Sequence, residues 1–276
     1  MLRERVSDNI HIFTSDLYAQ VTAGAIVTPA GAILVDSLPF PVESREMLSF
    51  IPRVSPPGVK YVILTHYHAD HAYGAYLFTE ADLVCHQLCG KLLQERGQPA
   101  LEGAKAHEPM LEEVALRLPD VTFEGEEMAL QLAGQLVRLI WAPGHTKDLV
   151  MVYVEEEQVL FASDTMMPVP SIVDGDIQAF RRSLIKIRDL EIKNLVQGHG
   201  EVVLVGEVDG VIRASLDYLD RIEEKVAAAI ERGQGKSALR DDPIESTGLS
   251  RLPIHGQVQQ IHVANLLALY ERRVSG

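Results

Sequence analysis

Between Leu64 and Ala72 the chain reads LTHYHADHA, which places His66, His68, Asp70 and His71 within six positions. Residues two apart in an extended segment point to the same side. His66 and His68 can therefore share one cation at the distance of about 2.0–2.1 Å that an imidazole keeps from zinc. Asp70 and His71 follow after the chain begins to turn, and they face a neighbouring point instead. The motif thus supplies two half-sites, and each needs further ligands. Three candidates lie downstream: His145 in APGHTKD, Asp164 in FASDTMM and His199 in QGHGEV. Taken singly, each has an ordinary use, as a turn residue, a helix N-cap or a loop histidine. Taken with the first motif, they complete a metal site.

Each of these residues follows a run with strand character. Val59–Leu64 leads into the first motif, Leu136–Trp141 precedes His145, Gln158–Ala162 precedes Asp164 and Asn194–Gln197 precedes His199. Strand ends hold side chains on a rigid scaffold while the loops stay open to a ligand. Gly144, Gly198 and Gly200 flank two of the histidines and allow tight turns there. Further strands are expected at Asn9–Thr14, Gly24–Thr28, Ala32–Asp36, Leu83–His86, Glu127–Leu132 and Leu149–Val154, with a hairpin at the Pro-Ala-Gly between the second and third. Helices are expected at Val42–Ile51, Ala69–Leu77, Gln87–Glu95, Met110–Leu118 and Asp176–Arg188. The last of these has Ile177, Phe180, Leu184 and Ile187 on one face. The rest of residues 97–119 carries mixed signals.

From Val208 the texture turns helical. Leu216, Leu219, Ile222, Val226 and Ile230 mark one amphipathic helix up to Gly233. A polar linker, Gly235–Ser250, separates it from a second helix over Val258–Arg272. The order of strand-rich and helical stretches suits an α/β architecture of two packed sheets with helices outside. Two units are expected: a catalytic domain over residues 1–207 and a helical extension over 208–276 packed on it.

THYHADH, followed in order by GHT, SDT and GHG, resembles the metallo-β-lactamase superfamily of binuclear metallohydrolases over about residues 10–205. The resemblance implies a four-layer αββα sandwich with the metals at one edge. It implies His66, His68 and His145 on one ion, Asp70, His71 and His199 on the other, and Asp164 bridging both. Two divalent ions are expected, with zinc first and iron or manganese as alternatives. True β-lactamases of the family usually lack an aspartate where this chain has Asp164. That aspartate is typical of glyoxalase II-like thioesterases, lactonases and phosphodiesterases. The expected function is therefore a metal-dependent hydrolase that cleaves an ester, thioester, lactone or amide of a small molecule. β-Lactamase and phosphodiesterase activity rank lower. The competing readings are a mono-iron dioxygenase or other redox enzyme on the same fold, and a non-catalytic metal-binding relative.

Two cations about 3.5–4 Å apart can share one water and bring its pKa towards neutrality, which gives a hydroxide nucleophile. Asp70 is the candidate catalytic side chain, as a proton relay to the leaving group. Asp36, Thr146 and Asp148 are candidate outer partners that fix histidine tautomers, with Asp36 as a plain turn residue the alternative. Lys147 departs from the small residue expected after GHT. Pocket walls are expected from Ser15–Thr22, Leu38–Pro41, the loop around Tyr67 and Tyr73, and Met166–Gly175. Phe40, Tyr67, Met166, Met167 and Ile172 would line the pocket or fill the core edge. Arg181 and Arg182 could grip an anion, although such a pair is more often a solvated helix face. Arg221, Lys225, Arg272 and Arg273 show no pattern of a glutathione site. The stripe Ile261, Leu266, Leu269 and Tyr270 reads as core packing, with a homodimer contact as the alternative. His11, His86, His107, His255 and His262 have no partner motif and read as structural or surface.

Composition bounds the partners. The 276 residues are 47% hydrophobic and 23% charged, with a formal net charge of -14. So acidic a surface repels phosphate backbones and anionic membranes and leaves a small molecule as the expected substrate. Bound divalent cations would reverse that potential inside one cleft. The opening MLRERVSDNI lacks the apolar core of a signal peptide, and no apolar run approaches membrane-spanning length. Two cysteines, Cys85 and Cys89, suggest no disulfide framework, so a cytoplasmic location is expected. Cys85 and Cys89 with His86 could bind a metal, but no further cysteine exists to complete a thiolate site.

Overall fold

The computed structural model describes residues 1–275. One sheet contains β1 (Leu2–Arg5), β2 (Ile10–Thr14), β3 (Thr22–Thr28), β4 (Gly31–Val35), β5 (Val59–Ile63), β6 (Asp82–His86) and β7 (Val121–Phe123), in that spatial order. β1 to β4 pair antiparallel, and β4 to β7 pair parallel. Parallel neighbours need crossovers. These are α1 (Pro41–Val54), then α2 (Ala69–Ala72) with a 3₁₀ turn at Tyr73–Leu77, then α3 (Gln87–Leu92) running through a π-turn at Leu93–Gly97 into α4 (Gln98–Lys105). The second sheet contains β8 (Glu127–Leu132), β9 (Gln135–Trp141), β10 (Val150–Val154), β11 (Val159–Ser163), β12 (Asn194–Gln197) and β13 (Val202–Leu204). Only its β11–β12 pair is parallel, and α5 (Ile177–Ile187) provides that crossover. Asp176 caps α5 by accepting from Ala179 N at 2.6 Å. Two long helices complete the chain, α6 (Val208–Glu231) and α7 (Val258–Ser275).

The alternation of side chains along β4 explains the layering. Ile33 and Val35 face the second sheet and pack with Val137, Val150 and Phe161. Ala32 and Leu34 face the other way and pack with Met47 and Ile51 of α1. On the outer face of the second sheet, Met151 and Leu160 pack with Phe180, Leu219, Ile222 and Leu266 of α5, α6 and α7. The sheets lie face to face with helices on both outer sides, as the αββα expectation requires. Residues on either side of position 207 share that last apolar cluster.

Three differences from the sequence expectations have physical causes. The helix expected over Met110–Leu118 is only a 3₁₀ turn at Pro109–Leu111. Leu111 and Val114 bury themselves against Phe40, Tyr73 and Leu101 without continuing a helix. The stretch with mixed signals instead contains α4. The Gly235–Ser250 linker is packed rather than free: two 3₁₀ turns, Lys236–Leu239 and Ile244–Thr247, bury Leu239, Ile244 and Thr247. Strands β1, β7 and β13 lie outside the expected set. They have only three or four residues, and β1 is exposed along its length.

Candidate metal centre

The ends of β5, β9, β11 and β12 meet at one edge of the sandwich. His66 is wholly buried just after β5, with its side chain 4.0 Å from Asp164. His68 is the N-cap of the short helix that holds Asp70 and His71. Asp164 follows Ser163, where the β11–β12 register shifts and Ser163 adopts φ +47°. Such a bulge bends the strand and re-aims the side chains just beyond it. Gly198 makes the close approach possible, because a Cβ there would lie 1.9 Å from Asp164 Oδ1. Gly144, beside His145, has the same role, since a Cβ would come within 2.3 Å of Phe180 Cα.

All seven sequence candidates converge. Ligand atoms of His66, His68, His145 and Asp164 lie within 4.8 Å of one another, and so do those of Asp70, His71 and His199. Asp164 Oδ2 is 3.2 Å from His145 Nε2 and 3.6 Å from His199 Nε2, while its Oδ1 is 3.3 Å from His71 Nε2. Asp70 Oδ2 is 3.3 Å from His199 Nε2. Ligands around one tetrahedral zinc are about 3.3 Å apart by the same bond lengths, so these spacings suit a cation. The unmade hydrogen bonds agree. His66 Nε2, His71 Nε2 and Asp164 Oδ1 are buried with no hydrogen-bond partner. Each such orphan costs about 1–3 kcal/mol, and a cation would satisfy all three.

The other ring nitrogens are anchored. His71 Nδ1 donates to Asp36 Oδ2 at 2.8 Å, His145 Nδ1 to the Ser171 carbonyl at 2.9 Å and His199 Nδ1 to the Ala19 carbonyl at 2.9 Å. His66 Nδ1 lies 3.1 Å from Thr65 Oγ1, which itself donates to Asp36. These four rings therefore turn Nε2 inward. His68 is reversed: its Nδ1 is 3.0 Å from His145 Nε2. Its Nε2 faces Asp174 Oδ2 at 3.8 Å.

The site's electrostatics divide the histidines. Burial pushes His66 well below its ordinary pKa and His145 down to about 4. Burial also acts on His199, but Asp164 and Asp70 outweigh it and raise that ring to about 10. His71 rises similarly beside Asp164, Asp36 and Asp70. Asp164 is buried and Asp70 partly so, yet the surrounding histidines hold both below the usual carboxylate range. The centre is thus rich in negative charge and in imidazole donors, the donor set that hard-to-intermediate divalent ions take.

Asp36 has the outer position expected of it. Asp148 accepts from the Tyr67 backbone N at 2.9 Å, so it braces the first motif's backbone rather than a histidine. Thr146 is buried, with its hydroxyl unpartnered. Arg181 is committed to Asp220 and Glu223, Lys225 to Asp242, Arg273 to Glu223, and Arg272 to the carbonyls of Ile172 and Val173. His86 stacks on Trp141, and His262 is buried between Tyr218 and Asp242. Cys85 and Cys89 are free and buried in the core.

The cleft over the centre differs in part from expectation. Tyr67, Tyr73 and Met167 line it, whereas Phe40, Met166 and Ile172 are packed into core clusters. The Ser15–Thr22 loop contributes Tyr18 and Ala19. Buried Glu43 tethers that loop by accepting from Ser15 Oγ at 2.6 Å and Asp16 N at 2.9 Å. Sequence reasoning missed Asp174, which accepts from Tyr67 Oη at 2.6 Å and Arg96 at 2.8 Å. It also missed Asn265, wholly buried on α7. Asn265 donates to the Pro170 carbonyl at 2.6 Å and accepts from Ile172 N at 2.9 Å, clasping both sides of the Ser171 that anchors His145. A signal existed: Asn265 interrupts the apolar stripe between Ile261 and Leu269, and a polar residue on a core face calls for explanation.

Known proteins resemble this chain to different extents. A model of the metallo-β-lactamase superfamily matches residues 18–199. A Beta-lactamase-like protein 2 homolog of Caenorhabditis elegans is 28% identical over 188 residues, 67% of this chain and 58% of that protein. An atrochrysone carboxyl ACP thioesterase of Pseudocercospora fijiensis is 29% identical over 196 residues, 69% of this chain and 51% of that protein. The chain thus matches somewhat more than half the length of these curated relatives. Among solved structures, a metallo-β-lactamase from Pontibacter korlensis superposes with a TM-score of 0.63 at 20% identity, covering 77% of this chain and 98% of that one. The family match runs from the loop that carries Tyr18 to His199 and so takes in all the convergent residues, on the sandwich seen in that neighbour. The chain belongs to the metallo-β-lactamase superfamily.

Proposed function

We propose that the protein is a metal-dependent hydrolase that holds two zinc ions and cleaves a small-molecule thioester or ester to a carboxylic acid and a thiol or alcohol. Asp164 carries the reading. One of its oxygens faces His145 and the other faces His71, so a single side chain can bridge two cations. The thioester preference draws on that aspartate and on the fungal relative, which is named a thioesterase. When bound, a pair of divalent ions supplies a nucleophilic water at neutral pH and polarises the carbonyl under attack.

The remaining steps fall to the chain's own groups. Asp36, Thr65 and the carbonyls of Ser171 and Ala19 keep four imidazoles turned inward. Asp70, whose side chain is 16% exposed, reaches the cleft and is placed to pass a proton to the leaving group. Tyr18, Tyr73 and Met167 line the cleft beside it.

Metal analysis and thioester assays test the reading together. We expect two zinc ions per chain, turnover abolished by chelator and restored by zinc, and a loss of roughly 10²- to 10³-fold or more in kcat/KM for Asp164→Ala with the fold intact. One iron per chain with consumption of dioxygen, or full activity without metal, would overturn it.

A further inference from the structure

The cleft has a volume of about 460 Å³, within the range of small-molecule sites. Beyond the candidate ligands, its larger side chains are Tyr18, Tyr67, Tyr73, Met167, Ile254 and Ile261, with the neutral amide of Gln257 among them. Its only carboxylates are Asp70 and Asp164, and no lysine or arginine lines it among the described residues. The cations nearby in the chain are occupied elsewhere: Arg96, next to the lining residue Gly97, pairs with Asp174, and Arg272 holds the carbonyls of Ile172 and Val173. A charged group on the substrate away from the reacting carbonyl would be desolvated there without a partner. A flat ring would instead have three tyrosine side chains to pack on.

One wall comes from the segment leading into α7 and from α7 itself. Ile254, Gln257 and Ile261 line the cleft, and all three lie outside the segment that the family model matches. The 3₁₀ turn that carries Ile254, at Ile254–Gly256, is strained. Ile254 has φ +46°, His255 +56° and Gly256 +82°. A β-branched residue at positive φ is a true outlier, and such conformations persist only where the surroundings hold them. Ile254 is held: it is 1% exposed and packs in the cluster that α6 and α7 share. Glycine or asparagine would occupy that conformation with less strain, so the isoleucine carries a local cost that its packing must offset.

We infer that this cleft selects an uncharged, apolar acyl body carrying a flat ring, and that Ile254, Gln257 and Ile261 form the selecting wall. The inference rests on the hydrolase reading for its chemistry, although binding alone can test the selection. The full-length zinc-loaded protein is assayed with the thioesters of phenylacetic acid and of its para-carboxy derivative on the same thiol. Ketone analogues of both, which have no scissile bond, are titrated by calorimetry.

We expect the added carboxylate to lower kcat/KM at least roughly fiftyfold and to weaken the ketone to a similar degree. Ala100→Lys, on an exposed position of the cleft rim, should cut that penalty at least about fivefold. Ile261→Ala should shift preference towards bulkier acyl bodies. Neutral and carboxylated ketones that bind alike would overturn the inference. So would an unchanged penalty in Ala100→Lys together with an unchanged acyl preference in Ile261→Ala. Selective binding of the neutral ketone with no turnover of either thioester would support the cleft assignment and overturn the hydrolase reading.

Discussion

His71 and His145 lie on opposite sides of Asp164, and they are supported in opposite ways. His71 is braced within its own sheet. Asp36, one residue past β4, accepts from its Nδ1 and also from Thr65 N and Thr65 Oγ1, each at 2.8 Å. His145 is braced at a distance. The acceptor of its Nδ1 is a loop carbonyl, Ser171, and that loop is clasped by Asn265 and Arg272 of α7. His71 is thus fixed by residues just past two neighbouring strands, and His145 by a helix more than ninety residues beyond the loop that anchors it. The C-terminal helices therefore serve the centre as well as the core, although they contribute none of the seven candidate ligands.

The largest effect expected from breaking this comparison is on the His71 side. Asp36→Ala removes three hydrogen bonds and leaves Thr65 N buried without an acceptor. Loss of such an outer partner typically costs 10- to 100-fold in metal affinity. We expect that loss for the ion on the His71 side, measured by stepwise competition with a chelator, and a smaller loss for the other ion, transmitted through Thr65 to His66. Equal loss of both would show that Asp36 supports the fold generally rather than one half of the centre.

On the other side, Asn265→Leu should weaken the complementary ion about tenfold. The necessary control is Leu266→Ala on the same helix. It should cost about 2–4 kcal/mol of stability by opening a cavity, yet it leaves the clasp on Pro170 and Ile172 untouched. If Leu266→Ala weakens the ion as much as Asn265→Leu does, support from α7 is merely structural and the contrast between the two halves fails.

The sequence made these two halves unequally legible. The ligands could be read because each follows a short run of strand-forming residues by a few positions, and because four of them cluster in one motif. Asp36 could be read for the same reason. The bracing of His145 could not be, because a backbone carbonyl such as Ser171 leaves no trace in residue type, and Asn265 meets it only through the tertiary docking of α7. The pocket lining was only partly legible for a related reason. Phe40, Met166 and Ile172 are chemically indistinguishable from Tyr73 and Met167 as apolar loop residues, and only the packing decides which face the cleft. Short strands such as β7, with three residues, fall below what alternation can show.

The smallest expected effect probes how α7 is itself held. Asp242 lies in the packed linker and accepts from Lys225 Nζ at 2.9 Å, Ser246 Oγ at 2.8 Å and His262 Nε2 at 3.1 Å. His262 continues to Tyr218, and Tyr218 accepts from Asn265. Partial burial would raise the Asp242 carboxyl, but these donors win and hold it below its ordinary 3.8. Since its folded value is lowered, its contribution to stability is complete above the ordinary carboxylate range and disappears as pH falls through the folded value. We expect Asp242→Asn to cost about 1 kcal/mol at pH 7, after allowance for solvent screening. Denaturant titrations should show that gap closing as the pH drops below about 4. A gap that persists undiminished at low pH would mean that the side chain's shape, and not its charge, anchors α7. In that case the path from Asp242 through His262 and Tyr218 to the clasp on the Ser171 loop would be one of packing rather than of charge.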